Sequence, residues 1–362
     1  MSGPIERFLA ARVADGWMPG AAWWVEGCDG ACDHGAIGHA TQQPRPVPLA
    51  VDTPFDLASL TKPLVTATLC ALAEQDGLLE LSQQVGDCLE ELRGTPWEST
   101  SLLDLGTHTS GLPAWKPLCV EADSIEGYVS AIGRTPRAVG PGRVLYSDLG
   151  YILLGAAIER ASGRGLDELF QRRIAEPLEL TRAGFALVPS SFRDAAATER
   201  GSAYERELSG PAGADHDWRC GLIRGQVHDS NAHGLGGVAG HAGLFASIRE
   251  VACIGRELLR PRRLPLGERA RARLLELPPS SAGWTFGLLT ASHSSAASGI
   301  LPDVAPGHSG FTGTSLWLDP AGERLFALLT NRVHPRVSPR NFQLVRRGFH
   351  RLALSATGLG RR

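Results

Sequence analysis

Ser59-Leu60-Thr61-Lys62 sets a hydroxyl and an amine three residues apart. On a helix those positions share a face, so the two groups meet within one turn. A serine hydroxyl is a weak nucleophile until a base stands beside it. Lysine can be that base if burial or its neighbours let it become a neutral amine, which arginine never does. A helix start adds free N–H groups and partial positive charge, both of which favour an oxyanion. The chemistry on offer is acyl transfer through a serine ester. The plain alternative is that Ser59 caps a helix and Lys62 is a solvated first-turn residue. Against it, Lys62 and Lys116 are the only lysines, and the other 34 basic residues are arginine. Pro63 follows Lys62, where a missing N–H costs little.

Two further segments carry reactive types. Tyr146-Ser147-Asp148 holds one of only four tyrosines. A phenol near a cation loses its proton more easily and can pass it to and from a serine. The alternative is a loop tyrosine that packs its ring, with Asp148 capping the next helix. Gly307-His308-Ser309-Gly310-Phe311-Thr312-Gly313 leads into a strand. Small residues there let a backbone approach a ligand, and the Phe311 N–H is placed to complete an oxyanion hole. The alternative is a glycine-rich turn with a surface histidine.

The elements that must position these residues read as β at both chain ends and mostly helix between. Ala21–Glu26 and Ala31–His39 flank the turn Gly27-Cys28-Asp29-Gly30, and 314–318 and 325–330 flank Asp319-Pro320-Ala321-Gly322. Both pairs predict hairpins. Helical periodicity runs over 59–75 with a stop at Gly77, over 151–161 after Asp148 as N-cap, and over 166–174, 248–259 and 341–356. Residues 201–240 are rich in Gly and Pro and predict a long irregular segment, of the kind that is functional or mobile.

The 362 residues allow two or three domains. A hydrophobic share of 43% predicts a sizeable core, and a net charge of -2 gives no reason to expect nucleic acid as a partner. No apolar run reaches the length of a membrane span, and Met1 to Val13 lacks the apolar stretch of a secretory signal, so a cytoplasmic protein is expected. The seven cysteines predict mostly buried free thiols in a reducing compartment. Other motifs carry less. G-H-S-G-F around Ser309 lacks the final Gly of a nucleophile elbow, and Gly234-Leu235-Gly236-Gly237-Val238-Ala239 lacks the strand of a dinucleotide site. His228, Asp229 and His233 do not match metal-ligand spacing, so no metal and no cofactor is expected. That loop and His241 are expected to line a cleft or its entrance, and Trp115 to line an acyl pocket or pack beneath its loop.

Taken together, Ser59-x-x-Lys62, Tyr146-x-Asp148 and His308-Ser309-Gly310 resemble, in order and separation, the motif set of the serine β-lactamase and penicillin-binding protein superfamily. The resemblance is strongest to the class C β-lactamase-related branch of serine hydrolases and esterases. It extends to FDLASLTK (55–62), LGTHTSGLP (105–113), YSDLGYILLG (146–155), GGVAGHAGLF (236–245) and GHSGFTGTSLWLDP (307–320), and covers about 17–333. It implies an α+β fold: an antiparallel sheet flanked by helices, built from 1–75 plus 245–362, with a mostly helical insert, 76–244, and a cleft between. It also implies that Ser59 forms an acyl-enzyme with a small ester or amide. Lys62 and Tyr146 would share the proton transfers, and the N–H groups of Ser59 and Phe311 would bind the oxyanion. Asp148, His308, Ser309, Gly310, His241 and Trp115 would contact substrate. Two departures stand out. Asp148 replaces a frequent Asn, and His308 replaces the Lys of β-lactamases. A carboxylate beside Lys62 favours its ammonium form and moves the base role toward Tyr146. It also repels the carboxylate of a β-lactam, while His308 offers at most a partial positive charge. The expectation is weak β-lactam hydrolysis and better activity on esters or uncharged amides. The other readings are a peptidase for D-amino-acid or muropeptide substrates, and a catalytically silent binding protein with the same cleft. The sequence leaves the oligomeric state open.

Overall fold

The computed structural model describes residues 3–185, 192–278 and 282–357. Its strands are β1 (Gly20–Glu26), β2 (Cys32–Thr41), β3 (Val47–Pro48), β4 (Phe55–Asp56), β5 (Gly184–Phe185), β6 (Leu244–Ala246), β7 (Leu289–Thr290), β8 (Pro306–Ser309), β9 (Ser315–Asp319) and β10 (Arg324–Thr330). Seven of them form one antiparallel sheet in the order β3-β2-β1-β10-β9-β8-β7. The two chain ends meet at its centre, where Ala21 pairs with Thr330 and Glu26 with Leu325. Both predicted hairpins form, β1–β2 and β9–β10, the second braced by the buried Arg324–Asp319 pair.

Helices cover both faces of the sheet, which is why its central strands read as continuous apolar runs. Alternation still sorts their side chains. Trp23, Trp317, Phe326 and Leu328 pack with Ile5 and Leu9 of α1 (Pro4–Ala14) and with Phe349 of the closing helix. Ala22, Trp24, Leu316, Leu325, Ala327 and Leu329 belong to the larger core on the other face, with Val251, Ile254 and Leu258. Those three come from a helix at Ile248–Leu259, which opens with the capping box of Ser247 and Glu250.

The segment 59–75 is helical but not uniformly so. A tight turn at Ala58–Leu60 gives way to a wide, π-type stretch at Lys62–Ala67, and a regular helix α2 follows at Thr68–Gln75. Pro63 lies in the wide stretch, where its missing N–H and its ring disfavour a normal turn. Its carbonyl is taken by the Thr68 hydroxyl at 2.7 Å. Gly77 ends the helix with φ +73, as predicted. Helix α3 (Asp148–Ser162) is buried from Leu149 to Ile158. Its cap is Ser147, which accepts from the Gly150 N–H, and not the expected Asp148. Asp148 is instead the first helical residue, with its carboxylate free for another partner. The span 201–240 is less irregular than expected, because short helices form at Ala203–Ser209 and Ser230–Gly234. The thiols also differ from expectation. All seven are free, but only Cys70 is fully buried, while Cys28, Cys32 and Cys220 are exposed.

Candidate active site

The Ser59 turn is held from three sides. β4 pairs with β6, and the Leu57 N–H donates to the Leu244 carbonyl at 2.9 Å. The buried Asp56 carboxylate accepts from the Ala58 N–H at 2.8 Å and the His228 N–H at 2.6 Å. The hydroxyls of Thr312 and Thr314 donate to the carbonyls of Asp56 and Leu57 at 2.8 and 3.0 Å. This over-determination keeps Ala58 at φ +48, a strained value for a residue with a Cβ. Gly310 is required at the crossing, because a Cβ there would sit 2.6 Å from the Leu57 carbonyl oxygen.

Ser59 Oγ accepts from Lys62 Nζ at 2.9 Å and from Tyr146 Oη at 2.8 Å. Lys62 is fully buried behind Ser59. Its ammonium also donates to the His241 carbonyl at 3.2 Å, lies 2.7 Å from Asp148 Oδ1 and sits 5.0 Å above the Tyr146 ring. Burial disfavours the ammonium, but Asp148 and then Tyr146 outweigh it, and the net shift raises the Lys62 pKa. Burial also raises the Tyr146 pKa, with Lys62 opposing. The resting pair is therefore ammonium and phenol.

Tyr146 owes its place to the 105–113 segment. The His108 carbonyl accepts from the Leu145 N–H at 2.9 Å, and His108 Nδ1 accepts from the Ser147 N–H at 3.0 Å. The imidazole packs 4.6 Å from the Tyr146 ring and 4.4 Å from Trp284. Burial, and then Lys62, hold its pKa well below the usual histidine value, so His108 is neutral. Across the site, His308 Nδ1 lies 3.0 Å from the Ser309 carbonyl. Burial, with Lys62, pushes its pKa down to about 3. His308 is therefore neutral, because burial and the nearby Lys62 and Arg346 all disfavour the imidazolium and only the Ser309 carbonyl opposes them.

One cleft of about 670 Å³ is lined by Ser59, Trp115, Tyr146, Asp148, His241, His308, Ser309, Gly310 and Phe311. The N–H groups of Ser59 and Phe311 donate to no carbonyl among the described residues. The site's chemistry is a doubly hydrogen-bonded hydroxyl beside two unpaired N–H donors, a cation and a phenol. The β-lactamase family model matches residues 5–348.

The chain belongs to the β-lactamase family.

An N-acetylmuramyl-L-alanine amidase of Bacillus subtilis is 30% identical over 335 residues, which cover 82% of this chain and 72% of the amidase. The hydrolase EstCE1, described as having promiscuous acyltransferase activity, superposes with a TM-score of 0.74 at 18% identity, covering 96% of this chain and 97% of its own. The class C β-lactamase of Rhodobacter sphaeroides gives 0.71 at 20% identity, covering 98% and 99%. The fold is thus β-lactamase-like, a seven-stranded antiparallel sheet with a small three-stranded one, flanked by helices.

His228, Asp229 and His241 line the cleft, as expected of that loop, and Glu205, which carried no sequence signal, joins them. Asp229 Oδ1 lies 2.9 Å from His241 Nε2. Burial alone would raise the Asp229 pKa, but His241 brings it below the usual carboxylate range. Glu205, beside it, is pushed up to about 7 by burial and by Asp229. His228 pairs with the buried Glu199 at 3.0 Å. Arg332 and Arg346 line the cleft too. His108 lies within 105–113, one of the stretches that resemble the family. The two arginines gave no local signal, since nothing in their sequence neighbourhood sets them apart from the other arginines. Among the described residues no cluster could hold a metal ion.

Proposed function

We propose that this β-lactamase-family protein is a serine hydrolase that cleaves a small ester or amide through an acyl-enzyme on Ser59. The observation that carries this is Ser59 Oγ within 2.9 Å of Lys62 Nζ and 2.8 Å of Tyr146 Oη. The reacting form of the Lys62–Tyr146 pair is one proton short of its resting state, with the vacancy on Tyr146 and Lys62 kept as ammonium by Asp148. As Ser59 Oγ attacks the carbonyl, its proton passes to the Tyr146 phenolate. The carbonyl electron pair moves onto oxygen and is met by the N–H groups of Ser59 and Phe311. Collapse expels an alkoxide or amine, which takes the proton from Tyr146. Water then attacks the ester and gives its proton to Tyr146; collapse breaks the bond to Ser59 Oγ, Tyr146 returns the proton to that oxygen, and the acid leaves.

We read the cleft as lying between a sheet domain of residues 1–75 plus 245–362 and a helical insert, 76–244. In this reading His308 is a neutral contact for substrate, beside Ser309, Gly310, His241 and Trp115. A neutral imidazole where β-lactamases have lysine supports activity on uncharged substrates over β-lactams. Among amides, the likeness to an N-acetylmuramyl-L-alanine amidase favours a muropeptide-type bond. The test is labelling with a fluorophosphonate and mapping the adduct by mass spectrometry. A stoichiometric adduct on Ser59, lost in Lys62→Ala, is expected. An adduct elsewhere, or Ser59→Ala turning over esters at the wild-type rate, overturns the reading. Nitrophenyl esters, N-acetylmuramyl-L-alanine and nitrocefin, compared by kcat/KM, then rank the substrate classes.

A further inference from the structure

Arg346 is buried, yet its guanidinium has no carboxylate within ion-pair distance among the described residues. It spends its donors on main-chain oxygens instead. Nη2 donates to the Gly310 carbonyl at 2.7 Å and the Thr314 carbonyl at 3.1 Å, and Nη1 donates to Gln343 Oε1 at 3.2 Å. Only Nε lacks a partner, and it is itself buried, so little of the guanidinium remains to grip a ligand. Burial, with Arg332 nearby, brings its pKa down to about 9, which still leaves it charged at neutral pH.

The Gly310 carbonyl belongs to the same peptide unit as the Phe311 N–H. A cation on that oxygen draws electron density through the amide resonance and leaves the N–H a stronger donor. The next carbonyl is held too, since Arg332 Nε donates to the Phe311 oxygen at 2.8 Å. The other N–H facing the reacting carbon has a neutral counterpart. The Ala58 carbonyl, in one peptide unit with the Ser59 N–H, accepts from the Thr61 hydroxyl at 2.7 Å. Both carbonyls are held by donors, the Gly310 oxygen also by the Gly313 N–H at 3.1 Å, and in a trans peptide each N–H points the opposite way from its carbonyl.

We propose that Arg346 is a positioning residue of the oxyanion pocket, which pins the Gly310 carbonyl and thereby aims and strengthens the Phe311 N–H. This rests on Ser59 being the nucleophile.

The experiment compares wild type, Arg346→Met and Arg346→Lys on p-nitrophenyl butyrate, with phenylboronic acid as a tetrahedral analogue and melting temperature as a folding control. Losing an oxyanion donor outright costs about 100- to 1000-fold, so weakening one is expected to cost roughly 10-fold or more in kcat. KM should stay within about 2-fold, and the boronate Ki should rise with the loss in kcat/KM. Arg346→Lys keeps a charge that reaches the same carbonyl and should recover most of the rate. If Arg346→Met does not fold, Arg346→Gln takes its place. A rise in KM alone, an unchanged boronate Ki beside a lower kcat, or equal loss in the Lys and Met variants would overturn the proposal. Failure of the underlying reading looks different, because then boronate does not inhibit the wild type and Ser59→Ala retains turnover.

Discussion

Replacing Asp148 by asparagine removes the anion that keeps Lys62 protonated while leaving the side chain's shape. At the observed 2.7 Å, a full charge pair at an effective dielectric of about 20 is worth ~6 kcal/mol. Solvent reaches Asp148, which is 18% exposed, and the asparagine carbonyl dipole replaces part of the lost interaction. What remains is worth ~1.4–4 kcal/mol, and its loss lowers the pKa of the Lys62–Tyr146 pair. The sign follows from the direction of the shift. The wild-type pair is raised, so its reacting form appears only as pH rises, and Asp148→Asn moves the rising limb of kcat/KM to lower pH. Below both limbs the variant is faster, by about tenfold for each unit moved. Stability moves the other way. A raised Lys62 pKa contributes stability that is complete below its unfolded value and is lost as pH rises through the folded value. The variant is therefore less stable at neutral pH, and the gap closes in alkali. The assay is kcat/KM on p-nitrophenyl butyrate across the alkaline range, with melting curves at both ends. A limb that stays in place would show that Asp148 does not set the proton inventory, and the base assignment would fall with it.

His308→Lys replaces a neutral imidazole by a cation in the cleft, and kcat/KM for nitrocefin relative to the butyrate ester should rise roughly tenfold; an unchanged ratio would mean that charge at this position does not choose the substrate. Asp56→Ala strips the acceptor from two buried N–H groups and should cost ~3 kcal/mol in denaturant unfolding, with slower fluorophosphonate labelling of Ser59 because Ala58 is freed; an unaltered labelling rate would refute that link. His350, buried against Trp317 with Nδ1 3.1 Å from the Ala296 carbonyl, has its pKa pushed down to about 4 by burial. A depressed histidine must gain a proton to unfold in acid, so its contribution is intact above about pH 6.5 and is lost as pH falls toward the folded value, ~3 kcal/mol in all. His350→Gln should flatten stability against pH in that window, and an equal slope in the variant would contradict the assignment.

Where the sequence was legible, a local rule and the tertiary structure agreed. Trp23 and Trp24 sit in an apolar run bounded by a four-residue turn, which reads as a hairpin strand, and the strand forms. The Ile248–Leu259 helix announces itself by period and by its Ser247–Glu250 cap. The meeting of Ser59 and Lys62 follows from helical spacing, and that survives the wide turn at Pro63. Legibility failed where neighbours compete or partners are distant. Ser147 and Asp148 are both good caps, and the choice falls to Ser147 because the Asp148 carboxylate pairs with Lys62. Two-residue strands such as β4 and β5 have no period to read, and exist only because β6 lies between them. The contacts of His108 with Ser147, of Arg346 with Gly310 and of His228 with Glu199 each join segments whose separation carries no local trace.

Several costly features of this chain gather at one place. Ala58 and His108 hold positive φ, Lys62 and Arg346 are buried cations, and His108 and His308 are neutral imidazoles with a buried, unpaired nitrogen. All of them surround Ser59, and each works against stability. A binding protein needs a cleft of the right shape, which apolar and neutral groups supply at lower cost. It has no use for an ammonium buried behind a serine, or for a guanidinium spent on the far side of a peptide whose N–H is unpaired. In the proposed mechanism both features act on charge that develops during the reaction. Their concentration at one hydroxyl is the physical argument for an acyl-transfer enzyme over a silent member of the β-lactamase family, and turnover by Ser59→Ala is the result it cannot survive.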